Sequence, residues 1–116
     1  MAKKFGPLIK KLQNAINSTY NAKITVNKQQ YYVEESGKIA EVLYVKQATV
    51  GENGKTKYVE LFSSGSDIAI LLYLRDYWYG LNGWEIPTDN EYWEEQKRKY
   101  RVRQENREKK GLRTNG

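Results

Sequence analysis

A chain of 116 residues has room for one domain, because at this size folding buries only roughly two-thirds of the surface that the unfolded chain exposes. It contains neither cysteine nor histidine, which removes disulfides, thiolate and imidazole metal sites, the commonest general base and the strongest side-chain nucleophile together. The net charge of +6 is segregated: Lys3, Lys4, Lys10, Lys11, Lys23 and Lys28 stand in an acid-free stretch over residues 1–28, the middle is acidic, and bases dominate again after residue 94.

Gly6-Pro7 opens a helix where a proline is tolerated. Leu8, Leu12, Ala15, Ile16 and Thr19 then recur at helical spacing over residues 7–20 and form the stripe expected to lie on a sheet. Lys10, Lys11, Asn14 and Asn17 read as its outward face. Asn17-Ser18-Thr19 also matches a glycosylation acceptor, but no apolar signal-peptide centre precedes it.

From Lys23 the period changes to two. Residues 23–33 read as a strand with a bulge or bend expected over Asn27–Gln30, residues 39–50 as a second strand, and residues 58–62 as a third. Glu34-Glu35-Ser36-Gly37 and the Asn53-Gly54 pair supply the intervening turns. The cap-forming run Ser63-Ser64-Gly65-Ser66-Asp67 introduces an apolar helix over residues 68–79. Ile70, Leu71, Leu74, Tyr77 and Trp78 form its core face, while Ile68, Leu72 and Tyr79, beside Arg75, form a second strip that needs its own cover. That cover is the tail, a second copy of the chain or a foreign partner.

Gly80 to Pro87 reads as the loop that stops this helix, with Trp84 and Ile86 anchored on the core. Thr88 to Glu91 has the pattern of a capping box that starts a last helix, whose Tyr92, Trp93 and Tyr100 pack inward. Glu94/Arg98, Glu95/Lys99 and Glu105/Lys109 are spaced for i, i+4 pairing. The expected architecture is α+β, in the order α-β-β-β-α-α: a compact domain over residues 1–87, a projecting basic helix over 88–110, and a disordered tail over 111–116. The order over residues 7–79 resembles the double-stranded RNA-binding domain, in which the first helix and the β1–β2 turn meet successive minor grooves. The lysine cluster with which that family opens its second helix is replaced here by Ser63-Ser64-Gly65-Ser66-Asp67.

Catalysis has little to work with. Asp89 followed by Glu95-Gln96-Lys97 resembles the acids and lysine of a Mg²⁺ nuclease, but Glu95 and Lys97 are two apart on one helix and point to different sides. No catalytic residue, metal ligand, cofactor or small-molecule substrate is assigned. The leading expectation is a small nucleic-acid-binding or nucleoprotein-associated accessory protein. Lys3, Lys4, Lys10 and Lys11 at one end, with Lys97, Arg98, Lys99, Arg101, Arg103 and Arg107 at the other, would grip one polyanion jointly. Tyr31, Tyr32, Tyr44 and Tyr58 on the sheet are candidates for stacking on unpaired bases. The alternative is a protein-binding adaptor or inhibitor, such as a phage or mobile-element anti-defence protein. It would act through Ile68, Leu72, Arg75 and Tyr79, with a homodimer through the same helix as a further option. The location expected is cytoplasmic, without membrane contact, because no apolar run approaches the roughly 20 residues of a span.

Overall fold

A computed structural model describes residues 5–87 and 90–115, the side chains as far as Glu108. The chain is α+β: α1 (Gly6–Tyr20), β1 (Ile24–Val33), β2 (Lys38–Val50), β3 (Thr56–Ser64), α2 (Asp67–Asn82) and α3 (Glu91–Asn115). The strands form one antiparallel sheet in the order β1-β2-β3. Among the described residues, no helix is long and apolar enough to cross a membrane.

β1 pairs with β2 without interruption from Ile24↔Gln47 to Val33↔Lys38, so Asn27–Gln30 holds no bulge. The irregularity lies between β2 and β3 instead, where Val45 faces Phe62 but Lys46 faces Glu60, leaving Leu61 as the extra residue. Gly37 and Gly54 take positive φ in the two hairpin turns, the conformation that the Asn-Gly pair provides for most readily.

One sheet face carries Ile24, Val45, Leu43 and Phe62, and on it the helices deposit Ile9, Ile16, Ala69, Ile70 and Leu74 to make the core. The buried stripe of α1 is therefore Ile9 and Ile16, seven residues apart. Leu8, expected to face the sheet, is 50% exposed. The helix is rotated because it packs against α2 as well as β1, and Asn17 and Gln13 consequently turn inward. The Asn17 amide clamps Ile24 from both sides, donating from Nδ2 to its carbonyl and accepting its N–H on Oδ1, each at 2.8 Å. This clamp satisfies the backbone where β1 begins, just after the left-handed Asn21 and Lys23.

Ser66 caps α2, its Oγ accepting the N–H of Ala69. The helix runs through Gly80 and ends one turn later than expected, at Gly83, which adopts φ 73°. Trp84, expected on the core, is 53% exposed and meets Trp78 and Tyr79 edge-on across the outer surface of α2; Ile86 is exposed too. Of the expected capping box, Thr88 lies outside the described residues, and the side chain of Asn90 takes the cap by accepting the Trp93 N–H.

Trp93 is 2% exposed and belongs to the core. Its indole N–H donates to Asp76 at 2.6 Å while its ring meets Phe62 edge-on. Phe62 also stacks on Tyr73 and lies against Tyr100, so β3, α2 and α3 converge on one ring. Burial, reinforced by the neighbouring Tyr77 and Tyr100, pushes the Tyr73 hydroxyl up to about 12. Burial and then the Glu60 carboxylate do the same to Tyr100. Both hydroxyls hold their protons in the folded chain where unfolded tyrosines, at about 10, release theirs. Stability from this pair is therefore complete below pH ~10 and lost as pH climbs toward ~12. Tyr73→Phe is expected to flatten the fall in melting temperature across that window, measured by circular dichroism.

Candidate nucleic-acid interface

α3 does not stand clear of the body over its first half. It lies against β3, an edge strand of the sheet, and touches α2 near Asp76 and Ser66. Arg103 donates to the Ser63 carbonyl at 2.7 Å, occupying part of the strand's free edge. Glu60 gathers three side chains of the helix: the Tyr100 hydroxyl at 3.2 Å, the Gln104 amide at 3.1 Å and, at 3.6 Å, the Arg107 guanidinium.

The basic residues of α3 consequently divide. Arg107 is paired with Glu60 and Arg103 is held at the strand. Lys97 pairs with Glu94 and Arg98 with Glu95 at i, i+3 spacing, in place of the expected Glu94/Arg98 and Glu95/Lys99 pairs. The hydrogen bond from Arg98 is the main reason that the Glu95 carboxyl lies below its usual range, and Arg98 is raised in return. Lys99 and Arg101 form no ion pair among the described residues and are exposed.

Where α3 passes the turn that enters α2, a cleft of about 590 Å³ opens. Ser64, Gly65 and Ser66 form one wall, and Gln96, Arg98, Lys99, Val102 and Arg103 the other. The first wall leads into the amino end of α2, where the Ser64 and Ser66 hydroxyls take the N–H groups of Ser66 and Ala69 and Asp67 stands in the first turn, and the opposite wall is cationic. The turn carries no lysine of its own, but the third helix brings cations to it. No spacing rule within the sequence signals this meeting, because the two walls lie thirty or more residues apart in the chain.

Lys10 and Lys11 are on α1, which packs against β1 and α2, whereas α3 packs against β3 and α2. Among the described residues the two helices share no contact and pack on different strands, so a joint grip by Lys10 and Lys11 with the α3 cations becomes two separate basic patches. Lys3 and Lys4 lie outside the described residues.

The sheet face away from α1 and α2 carries Tyr31, Tyr44 and Tyr58 by register, together with Lys46, whose Nζ lies 5.5 Å from the Tyr44 ring centroid. Tyr32 is on the opposite face.

The proposed partner strip on α2 remains largely open. Ile68 is exposed, Leu72 and Tyr79 are half-buried, and Arg75 is turned onto Asp76 at 2.8 Å. α3 does not reach this strip through any described hydrogen bond, and Trp84 covers Tyr79 only in part. An apolar groove of about 360 Å³ runs beside it, between Leu8, Leu12 and Ala15 of α1 and Leu71 and Trp78 of α2.

Among the described residues, no group of three or more acidic side chains is placed to hold a metal ion. Compared with known proteins, the chain matches no family model, no curated protein and no solved structure.

Proposed function

We propose that this chain is a small nucleic-acid-binding or nucleoprotein-associated accessory protein that holds a phosphate backbone along α3. The observation that carries this reading is the cation-lined cleft, in which Arg98, Lys99 and Arg103 face the amino end of α2. A phosphate there would meet charge-assisted donors from the α3 wall, the contacts by which arginine and lysine hold phosphates. Arg101, one turn beyond Arg98 and exposed, extends the positive surface along the helix. Of the acids beside this surface, Glu60 is spent on Tyr100, Gln104 and Arg107, and Glu95 is paired with Arg98.

Each neutralised phosphate releases counterions, so binding must weaken steeply with salt. Titration of a labelled oligonucleotide by fluorescence anisotropy between about 50 and 200 mM salt is expected to show affinity falling by on the order of 100-fold or more, as for several phosphate contacts. A chain that leaves both DNA and RNA unbound at the lowest salt does not have this function.

A second reading has its own observation. The outer surface of the α1–α2 layer exposes Leu8, Ile68 and Trp84 around the apolar groove, more contiguous apolar surface than a solvated helix pair requires. A protein-binding adaptor or inhibitor, including one directed at a nucleoprotein, would use this side and leave α3 free. The same titration separates the two readings, since an adaptor without α3 chemistry binds no oligonucleotide.

A further inference from the structure

Resting on the reading of α3 as a phosphate-binding helix, we infer that the nucleic acid is single-stranded and that its bases lie on the sheet face turned away from α1 and α2. The register places Tyr31 opposite Ala40, Tyr44 opposite Ser63, and Tyr58 opposite Ala48, all on the face that α1 and α2 leave bare. Measured along β2, the three rings are separated by successive steps of four residues, about 13 Å each at ~3.3 Å per residue. They form a diagonal line from β1 across β2 to β3.

Tyr31 is 50% and Tyr58 60% exposed, although Val42 and Ser63 on the same face are buried. Lys46 lies over the Tyr44 ring, adding a cation beside the middle platform. The acid of this face, Glu60, is already neutralised by Arg107, whereas Glu41 belongs to the other face and pairs there with Lys28. The diagonal ends at β3, against which α3 lies, and its middle ring, Tyr44, is opposite Ser63 beside the cleft wall, so the bases that follow a phosphate held in the cleft meet the line at Tyr44 first. Aromatic side chains stack on unpaired bases irrespective of sequence, and a paired duplex has no base faces to offer them.

The geometry also disfavours a duplex on the usual side of this element order. The β1–β2 turn that would enter a minor groove is Glu34-Glu35-Ser36-Gly37, two carboxylates where phosphates would approach. Double-stranded nucleic acid is therefore repelled at the turn and unread at the sheet.

The test is anisotropy of a labelled 12-nucleotide strand, as DNA and as RNA, against the duplex each forms with its complement, at one salt concentration. The single strand is expected to bind at least about 10-fold tighter than the duplex. Tyr31→Leu/Tyr58→Leu should weaken single-strand binding by about 10-fold or more and leave any duplex binding unchanged, while Tyr31→Phe/Tyr58→Phe retains the wild-type affinity. Lys46→Glu, which leaves the exposed tyrosines in place, should reduce single-strand binding as well. Equal affinity for strand and duplex, or wild-type binding by the folded leucine variant, overturns the inference while the phosphate-binding reading stands. No binding to either form removes both.

Discussion

Trp93→Ala is expected to cost about 3–5 kcal/mol of folding stability, the range for removing a buried large aromatic side chain. The residue is 2% exposed, its ring meets Phe62 edge-on, and its N–H is satisfied by Asp76. Truncation leaves a cavity where β3, α2 and α3 converge and takes away one partner of a half-buried carboxylate, whose remaining link is Arg75. A loss of that size is a large share of the roughly 5–15 kcal/mol that holds a domain together. Urea denaturation followed by circular dichroism should show a lower midpoint with one cooperative transition. A midpoint equal to that of the wild type would mean that α3 is an appendage, outside the unit that folds. Trp93→Phe, which keeps most of the ring volume but not the N–H, should fall between the two.

Arg98→Glu/Lys99→Glu is expected to reduce oligonucleotide affinity by on the order of 100-fold near 0.1 M salt and to lower the salt slope by about two. Both side chains line the cleft and both are exposed, so reversing them touches no core contact. Lys10→Glu/Lys11→Glu makes the same change in net charge on α1 and is the informative comparison. If binding were a matter of overall charge, the two variants would lose affinity equally. If the cleft is the grip, the α1 variant keeps most of the wild-type affinity. Anisotropy titrations at several salt concentrations measure both quantities.

The elements of the fold were legible because local rules agree with one another here. Period-two runs, an Asn-Gly turn, the Ser66 cap and the apolar α2 all point to the same helix–meander–helix order, and the strands fall within two residues of the expected ends. Trp93 and Tyr100 were legible as inward-facing, but the docking of α3 as far as Arg107 was not, for a definite reason. The residues that dock it are Trp93, Tyr100, Arg103, Gln104 and Arg107, a stripe at helical spacing made of aromatic and polar side chains in place of aliphatic ones. A search for an apolar face passes over it, although the heptad step from Trp93 to Tyr100 to Arg107 is present in the chain. Arginine and tyrosine can pack along their stems while their polar ends bond, so such a stripe can dock a helix without leucines.

The candidate site shows the same division. Arg98, Lys99 and Arg103 were identifiable as a basic cluster, but their meeting with Ser64 and Ser66 depends on how α3 crosses β3, which no local pattern encodes. Leu8 is the converse case. Both Leu8 and Ile9 fit a helical stripe, and only the choice of α2 as a second neighbour for α1 decides which of them is buried.

The position of α3 beside β3 also bears on how this chain behaves when crowded. A three-stranded sheet ordinarily offers two bare margins, and a molecule with two can add strands from further copies without limit. Here one margin is occupied by the chain's own helix, leaving β1 as the margin able to receive a foreign strand. Growth by strand addition would therefore stop after a single event, at a closed pair, and an open-ended fibre would first require α3 to be peeled away.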